Sequence, residues 1–280
     1  MKLIVDSGST KTTWLLLSAL REAASEFHTL GINPVRDDEQ AVRAVIAEAA
    51  GKCGEAARSV TAVYFYGAGC MEPYSGVVRR ALGDAFPAVG ELSVESDLLG
   101  AARALCGHEE GIACILGTGA NSCLYDGKDI VQNTPALGYI LGDEGGGAVL
   151  GRMFMNAIFK NPAYAAIRDE YLKETKLTQA DIIQKVYREP LANRFLATTS
   201  LFIVERQDNR LLRDLVIENF REFFRKNIVP YKRPDLPVHF VGSMAHHYPA
   251  ALQEAAEVEG FHVMSIVQSP IDGLMAYHSR

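Results

Sequence analysis

Apolar residues first gather in short, β-prone runs. Leu3-Ile4-Val5 ends in Asp6-Ser7-Gly8-Ser9-Thr10, and a second run over 12–18 follows almost at once. The pair predicts a hairpin closed by a Gly/Ser turn. A third strand near 27–30 leads into Gly31-Ile32-Asn33-Pro34. Asp37 or Asp38 then stands as the cap of a helix reaching about residue 50, because Ala41, Val42, Val45 and Ile46 fall on one face. A strand over 60–66, a helix over 77–86 and a strand over 92–95 follow. That last strand meets a helix over 98–105 at Ser96-Asp97.

The pattern restarts near Gly111. Strands over 112–116 and 122–126 flank Gly117-Thr118-Gly119-Ala120-Asn121, repeating the opening hairpin. Residues 146–229 are mostly helical in period, with Leu212, Leu215, Val216, Phe220, Phe223 and Phe224 in one amphipathic stretch. A strand over 238–241, a helix from Met244, a strand over 261–264 and a last helix from Pro270 close the chain. Two lobes are therefore expected, 1–110 and 111–280, with a helical insert over about 148–230 and a last helix free to return to the first lobe. Their shared strand-turn-strand opening points to a duplication.

Composition narrows the partners. The 280 residues are 48% hydrophobic and 22% charged, ordinary values for a soluble globular chain. A net charge of -6 leaves no basic footprint for nucleic acid. The five cysteines are scattered without a CxxC or Cys/His cluster, so reduced thiols in a cytoplasmic protein are expected rather than disulfides or zinc. The chain opens on a strand with no secretory pattern, and no apolar run reaches the ~20 residues that span a bilayer. No membrane partner is expected.

Candidate chemistry sits at the turns. Small residues over 6–12 let backbone N–H groups approach a polyphosphate, with Ser9, Thr10, Lys11 and Thr12 as donors and Asp6 placed to hold hydrated Mg²⁺. A plain β-turn explains the same residues. Neither a GxxxxGK[ST] nor a GxGxxG pattern is present. Gly117, Thr118 and Gly119 form a second phosphate candidate, strengthened by its equivalent place in the second lobe. Asp97, at a strand-to-helix junction, can take a proton from an attacking hydroxyl or simply cap the helix. Gly145, Gly146 and Gly147 at a helix start are costly to order, and are explained if a ligand lies against an exposed helix N-terminus. A capping Asp143 before a mobile loop is the alternative. Gly242 and Ser243 make a small-residue elbow on which a nucleoside could lie, or a tight connection with no ligand. The adjacent His246 and His247 do not share a helix face, which argues against metal.

Together these motifs resemble the acetate and sugar kinase/Hsc70/actin superfamily, and within it the BadF/BadG/BcrA/BcrD-type branch that includes N-acetylglucosamine kinases. The carrying segments are DSGSTKT (6–12), ESDLLGA (95–101), LGTGANS (116–122), LGYILGDEGGG (137–147) and FVGSMA (240–245). The resemblance implies an α/β fold of two actin-like (ribonuclease H-like) lobes with an ATP cleft between them. It implies ATP and Mg²⁺ as cofactors, Asp97 as general base and Asp6 at the metal. Thr10, Lys11, Thr118, Gly119 and Gly147 would meet phosphate, and Gly242 and Ser243 the adenosine. Asn33, Leu137, Gly138 and Asp143 would line an amino-sugar site, in a homodimer phosphorylating O6. Leu137 departs from the tryptophan of the animal enzymes, and the Cys/His zinc motif of ROK kinases is absent. The same branch contains activators of 2-hydroxyacyl-CoA dehydratases, which bridge an iron–sulfur cluster with cysteines, and Cys106 at a helix end is the thiol expected to be exposed for that. A non-catalytic sugar or nucleotide sensor is the third reading.

Overall fold

Residues 1–8, 10–18 and 23–279 are described by the structure, a computed structural model. They fall into two units. The first is built from Met1–Glu109, Gly127–Ile130 and the C-terminal segment from Ser269, and the second from Glu110–Asp126 and Val131–Gln268.

In the first unit, β1 (Lys2–Ser7), β2 (Lys11–Leu17), β3 (Ala23–Leu30), β4 (Ala62–Gly67) and β5 (Glu91–Ser96) form one sheet in the order β3-β2-β1-β4-β5. β1, β4 and β5 are parallel, while β2 and β3 run against their neighbours. Alternation along β1 sends Leu3 and Val5 to one face and Ile4 to the other. The first face packs with Val42 and Ile46 of α1 (Glu39–Cys53) and Val78 and Leu82 of α2 (Ser75–Ala85). The second meets α3 (Asp97–Cys106) and the last helix, α12 (Ile271–His278), through Ala104, Ile271 and Leu274. Asp38 is the cap of α1, its carboxylate accepting from the Ala41 N–H at 2.8 Å. β3 starts four residues before the expected strand. Ser25, Glu26 and His28 are exposed there, on an edge strand whose polar positions hid it from an apolar search.

A partly buried polar knot ties α12 to this sheet. Arg103 donates to the Tyr66 hydroxyl at 3.1 Å, leaving that hydroxyl's own proton for His278 Nε2, 2.8 Å away. His278 also stacks on Tyr64 at 3.8 Å. Burial first, then Arg103 and Lys2, push its pKa down to about 4, so the ring is neutral.

The second unit repeats the strand plan. β6 (Glu110–Leu116), β7 (Ala120–Asp126), β8 (Ile130–Thr134), β9 (Val238–Val241) and β10 (Val263–Val267) stand in the order β10-β9-β6-β7-β8. Again the first strand pairs antiparallel with the second and parallel with the fourth, and the fourth parallel with the fifth. β8 was not expected from the sequence, because it is short, polar and largely exposed. β10 starts two residues later than the expected 261–264 and runs three beyond it, and Phe261 packs instead in the core.

Between β8 and β9 run α4 (Gly138–Leu141), α5 (Gly147–Lys160), α6 (Ala165–Thr175), α7 (Gln179–Tyr187), α8 (Ala192–Val204) and α9 (Arg210–Phe223). Phe154, Tyr171 and Phe202 pack mutually in one cluster, and Phe223, Phe224 and Phe240 in another. The helix expected from Met244 is two, α10 (Ser243–His247) and α11 (Pro249–Val258). Pro249 has no N–H to continue the first and suits the first turn of the second.

Candidate active site

Two carboxylates meet at one edge of the first unit's sheet. Because β1, β4 and β5 are parallel, Ser7, Gly67 and Ser96 stand in a row across their carboxyl ends. Neighbouring strands are ~4.8 Å apart, which sets the β1 and β5 backbones roughly 10 Å from each other. Asp6 precedes this row and Asp97 follows it, opening α3. Burial pushes the Asp6 carboxyl up to about 7, aided by the charge of Asp97 and opposed by Lys11. Burial also pushes Asp97 up to about 6, against hydrogen bonds from the Leu98 N–H and its own. The cap reading of Asp97 gives way to Ser96, whose hydroxyl accepts from the Leu99 N–H at 3.2 Å. Asp97 accepts from the adjacent Leu98 N–H, at 2.9 Å. A helix placed this close to the sheet needs Gly100, since a Cβ there would lie 2.7 Å from Tyr66.

The first turn is braced from inside. Ser7 and Thr12 hydroxyls are 2.7 Å apart and fully buried, and Thr12 donates to the Leu30 carbonyl at 2.9 Å. Thr12, expected among the nucleotide ligands, therefore has its side chain turned into the core. Thr10 and Lys11 are exposed on the same turn, and Ser9 lies outside the described residues. Asn33 follows β3, its side-chain oxygen accepting from the Val35 N–H at 3.1 Å and its backbone N–H donating to Asp37 at 2.8 Å. It packs against Gly69, where a Cβ would overlap its amide oxygen.

In the second unit, three segments converge. The turn between β6 and β7 holds itself through the Gly117 N–H and Gly119 carbonyl, 2.9 Å apart. The start of α5 then docks on it, with the Gly147 N–H donating to the Gly117 carbonyl at 2.8 Å and the Ala148 N–H to the Thr118 carbonyl at 2.9 Å. This corrects two expectations. The helix N-terminus is not exposed, and the Gly147 N–H is already spent on the turn rather than open to phosphate. The glycines are needed because backbone meets backbone: a Cβ on Gly146 would sit 2.8 Å from the Gly119 carbonyl carbon. Asp143 lies against Gly119 and accepts from the Gly138 N–H at 3.2 Å. Burial, opposed by hydrogen bonds from Gly138 and Ala120, raises its pKa. Asp143 holds the turn and does not cap α5, whose N-cap is Gly146.

The elbow after β9 is the third segment. Gly242 has φ of 121°, a conformation essentially confined to glycine, and a Cβ there would overlap the Leu116 carbonyl. Ser243 is exposed beside it, and Leu137 is 58% exposed one residue before Gly138. Sequence reading missed Asn219. It is fully buried on α9, accepts from the Gly145 N–H at 3.0 Å and so holds the glycine segment in place. A polar residue at the spacing of Leu212, Val216 and Phe223 was the available signal.

A hydrated divalent cation fits the Asp6 edge, because burial holds both carboxylates there above their usual range, and the charge of Asp97 adds to that at Asp6. Among the described residues no three His, Cys, Asp or Glu side chains gather. Such a cation would thus rest on one or two carboxylates and keep its waters, as Mg²⁺ does. Cys106, expected to be exposed, is buried, as are Cys70, Cys114 and Cys123. Burial pushes the Cys70 and Cys106 thiols up to about 12, away from the thiolate that binds iron.

The chain is similar to a Porphyromonas gingivalis protein described as a "putative N-acetylglucosamine kinase", at 46% identity over 99% of this chain and 98% of that one, with a TM-score of 0.91. A Chromobacterium violaceum protein of the same description matches at 18% identity over 99% and 98%, with a TM-score of 0.74. A ROK family glucokinase from Streptomyces griseus, in complex with glucose and AMPPNP, matches at 16% identity over 99% and 98%, with a TM-score of 0.57. The last two share the fold, two mixed five-stranded sheets with helices in the arrangement of actin-like ATPase sugar kinases. No family model and no curated protein matches the chain.

Proposed function

We propose that this chain, which belongs to the family of sugar kinases with the actin-like ATPase fold, transfers the γ-phosphoryl group of ATP to a hydroxyl of N-acetylglucosamine or a related amino sugar. One observation carries the chemistry: Asp97, at the carboxyl edge of the sheet, has a pKa lifted to about 6, near the operating pH where a general base works best. It is free of the capping duty that Ser96 performs.

In this reading Asp97 accepts the proton of the acceptor hydroxyl as its oxygen attacks the γ-phosphorus. The bond from that phosphorus to the bridging oxygen breaks, and ADP leaves. Asp6 would hold the cation, and Mg²⁺ bound there would supply charge neutralisation on the phosphates. Thr10 and Lys11 in the first unit, and Thr118 and Gly119 in the second, are the phosphate contacts, with Gly242 and Ser243 at the nucleoside. Asn33, Gly138 and Asp143 orient the sugar, and the exposed Leu137 offers an apolar contact to its substituent. Alignment and electrostatics supply most of what phosphoryl transfer requires. The burial of Cys70 and Cys106, which holds both thiols protonated, weighs against the iron–sulfur alternative.

The test is coupled ADP release over N-acetylglucosamine, glucosamine, N-acetylmuramic acid, N-acetylmannosamine and glucose. The expected result is sugar-dependent turnover, with an amino sugar at least ~10-fold ahead of glucose in kcat/KM, a margin worth about 1.4 kcal/mol. ADP release that ignores every sugar would sink the proposal.

A further inference from the structure

Helices α5 and α7 face each other across an open cavity of about 610 Å³, a size usual for small-ligand sites, which run from roughly 300 to 1,000 Å³. Its apolar walls repeat at helical spacing: Met155 and Phe159 on α5, and Ile182, Ile183 and Val186 on α7, with Leu196 of α8 beside them. Two of the apolar side chains on it face solvent, Ile140 at 65% and Ile183 at 51% exposure. Apolar walls with a few polar groups at the rim are the usual make-up of a ligand pocket. None of these residues belongs to the turns, the elbow or the carboxylate edge.

The charge on this cavity selects the occupant. Arg152 and Lys160 lie on its α5 side, eight residues and so roughly 12 Å apart along the helix axis, and no carboxylate lines it. Arg152 is anchored at the mouth by donating to the Ile140 carbonyl at 3.3 Å. A second copy of this chain seated cavity to cavity would set these cations against their own equivalents, whereas an anion would meet both.

We propose that this cavity is a second ligand site, for an amphipathic anion whose acyl or aryl body lies between α5 and α7 and whose carboxylate or phosphate head lies at Arg152 and Lys160. The site has a route to the proposed acceptor loop. Ile140 of α4 lines the cavity, and Gly138, at the start of the same helix, donates to Asp143. An occupant pressing on α4 would change the acceptor KM more than the ATP KM.

The experiment is titration of the full chain with 1-anilinonaphthalene-8-sulfonate, read by fluorescence, and its displacement by decanoate, decyl phosphate and decyltrimethylammonium. Saturable binding to one site is expected, with either anion displacing the dye at least ~10-fold better than the cation. Which anion wins identifies the head group. Ile183→Asp should raise the dye's Kd at least ~10-fold, leaving the thermal midpoint and the anion-free kinase rate unchanged because Ile183 is half exposed. Lys160→Glu should weaken decanoate and the dye alike, since the dye's sulfonate is also an anionic head, and should leave decyltrimethylammonium no weaker. The proposal is overturned by the absence of saturable binding, by equal displacement with the cation, or by an unchanged Kd in Ile183→Asp. A dimer in sedimentation that Ile183→Asp dissociates would overturn it too, by making a second copy the occupant.

Discussion

Asp97→Asn is expected to lower sugar-dependent ADP release by about 10²–10⁴-fold, the usual contribution of a positioned general base, with the ATP KM changed less than ~3-fold. The fold should survive, because the contact Asp97 makes is an acceptor contact that asparagine keeps, and Ser96 remains the helix cap. The wild-type rate should fall as pH drops through about 6, where Asp97 gains its proton, and that acid limb should vanish in the variant. Retained activity would remove Asp97 as the base while leaving the anion site untouched, since dye binding reads that site without turnover.

Stability and pH give an independent reading of the same edge. Asp6 and Asp97 bind protons more tightly folded than unfolded, with values of about 7 and about 6 against an ordinary 3.8. Folding therefore gains stability as pH falls from about 7 towards 4, and that gain is gone above about 7. His278 runs oppositely: its folded value of about 4 lies below 6.5, so its contribution is present above 6.5 and lost as pH falls towards 4. The two trends cancel in part below 6.5. Between about pH 6.5 and 8, Asp6 acts alone among these three, and the thermal midpoint should decline. Asp6→Asn should flatten that decline; an equal slope in the variant would place the titrating group elsewhere.

Local chemistry made some of this legible and hid the rest. A cap at Asp37 or Asp38, which proves to be Asp38, and a turn over Gly117–Gly119 were legible because each depends on neighbours in sequence. The strand row Ser7–Gly67–Ser96, which brings Asp6 and Asp97 to one edge, follows once three strands are taken as parallel. Gly145, Gly146 and Gly147 were read as ligand-facing because nothing in sequence shows that the turn thirty residues earlier lies against them. Thr12 had the composition of a phosphate donor and the environment of a core residue. The start of β3 and the whole of β8 escaped because edge strands carry polar side chains on exposed positions. The α5–α7 cavity draws its lining from four helices and has no sequence signature.

Gly242→Ala is the second change with a large expected effect. At φ of 121° the alanine backbone is strained by about 1–3 kcal/mol, and its Cβ overlaps the Leu116 carbonyl, a rigid backbone atom at the base of the phosphate turn. Forcing an extra carbon into a packed site costs about 1–3 kcal/mol more. The sum, about 2–6 kcal/mol, is a large share of the 5–15 kcal/mol that holds a domain together. The elbow should therefore swing away from Leu116, raising the Kd of a fluorescent ATP analogue at least ~10-fold and lowering the thermal midpoint by several degrees. Ser243→Ala separates contact from fold. Its exposed hydroxyl has no packing to disturb, so the midpoint should not shift. Loss of its proposed nucleoside contact should raise the same Kd by less than Gly242→Ala does. If Gly242→Ala lost stability but bound the analogue as tightly as wild type, the elbow would be a structural connection and the nucleoside would lie elsewhere.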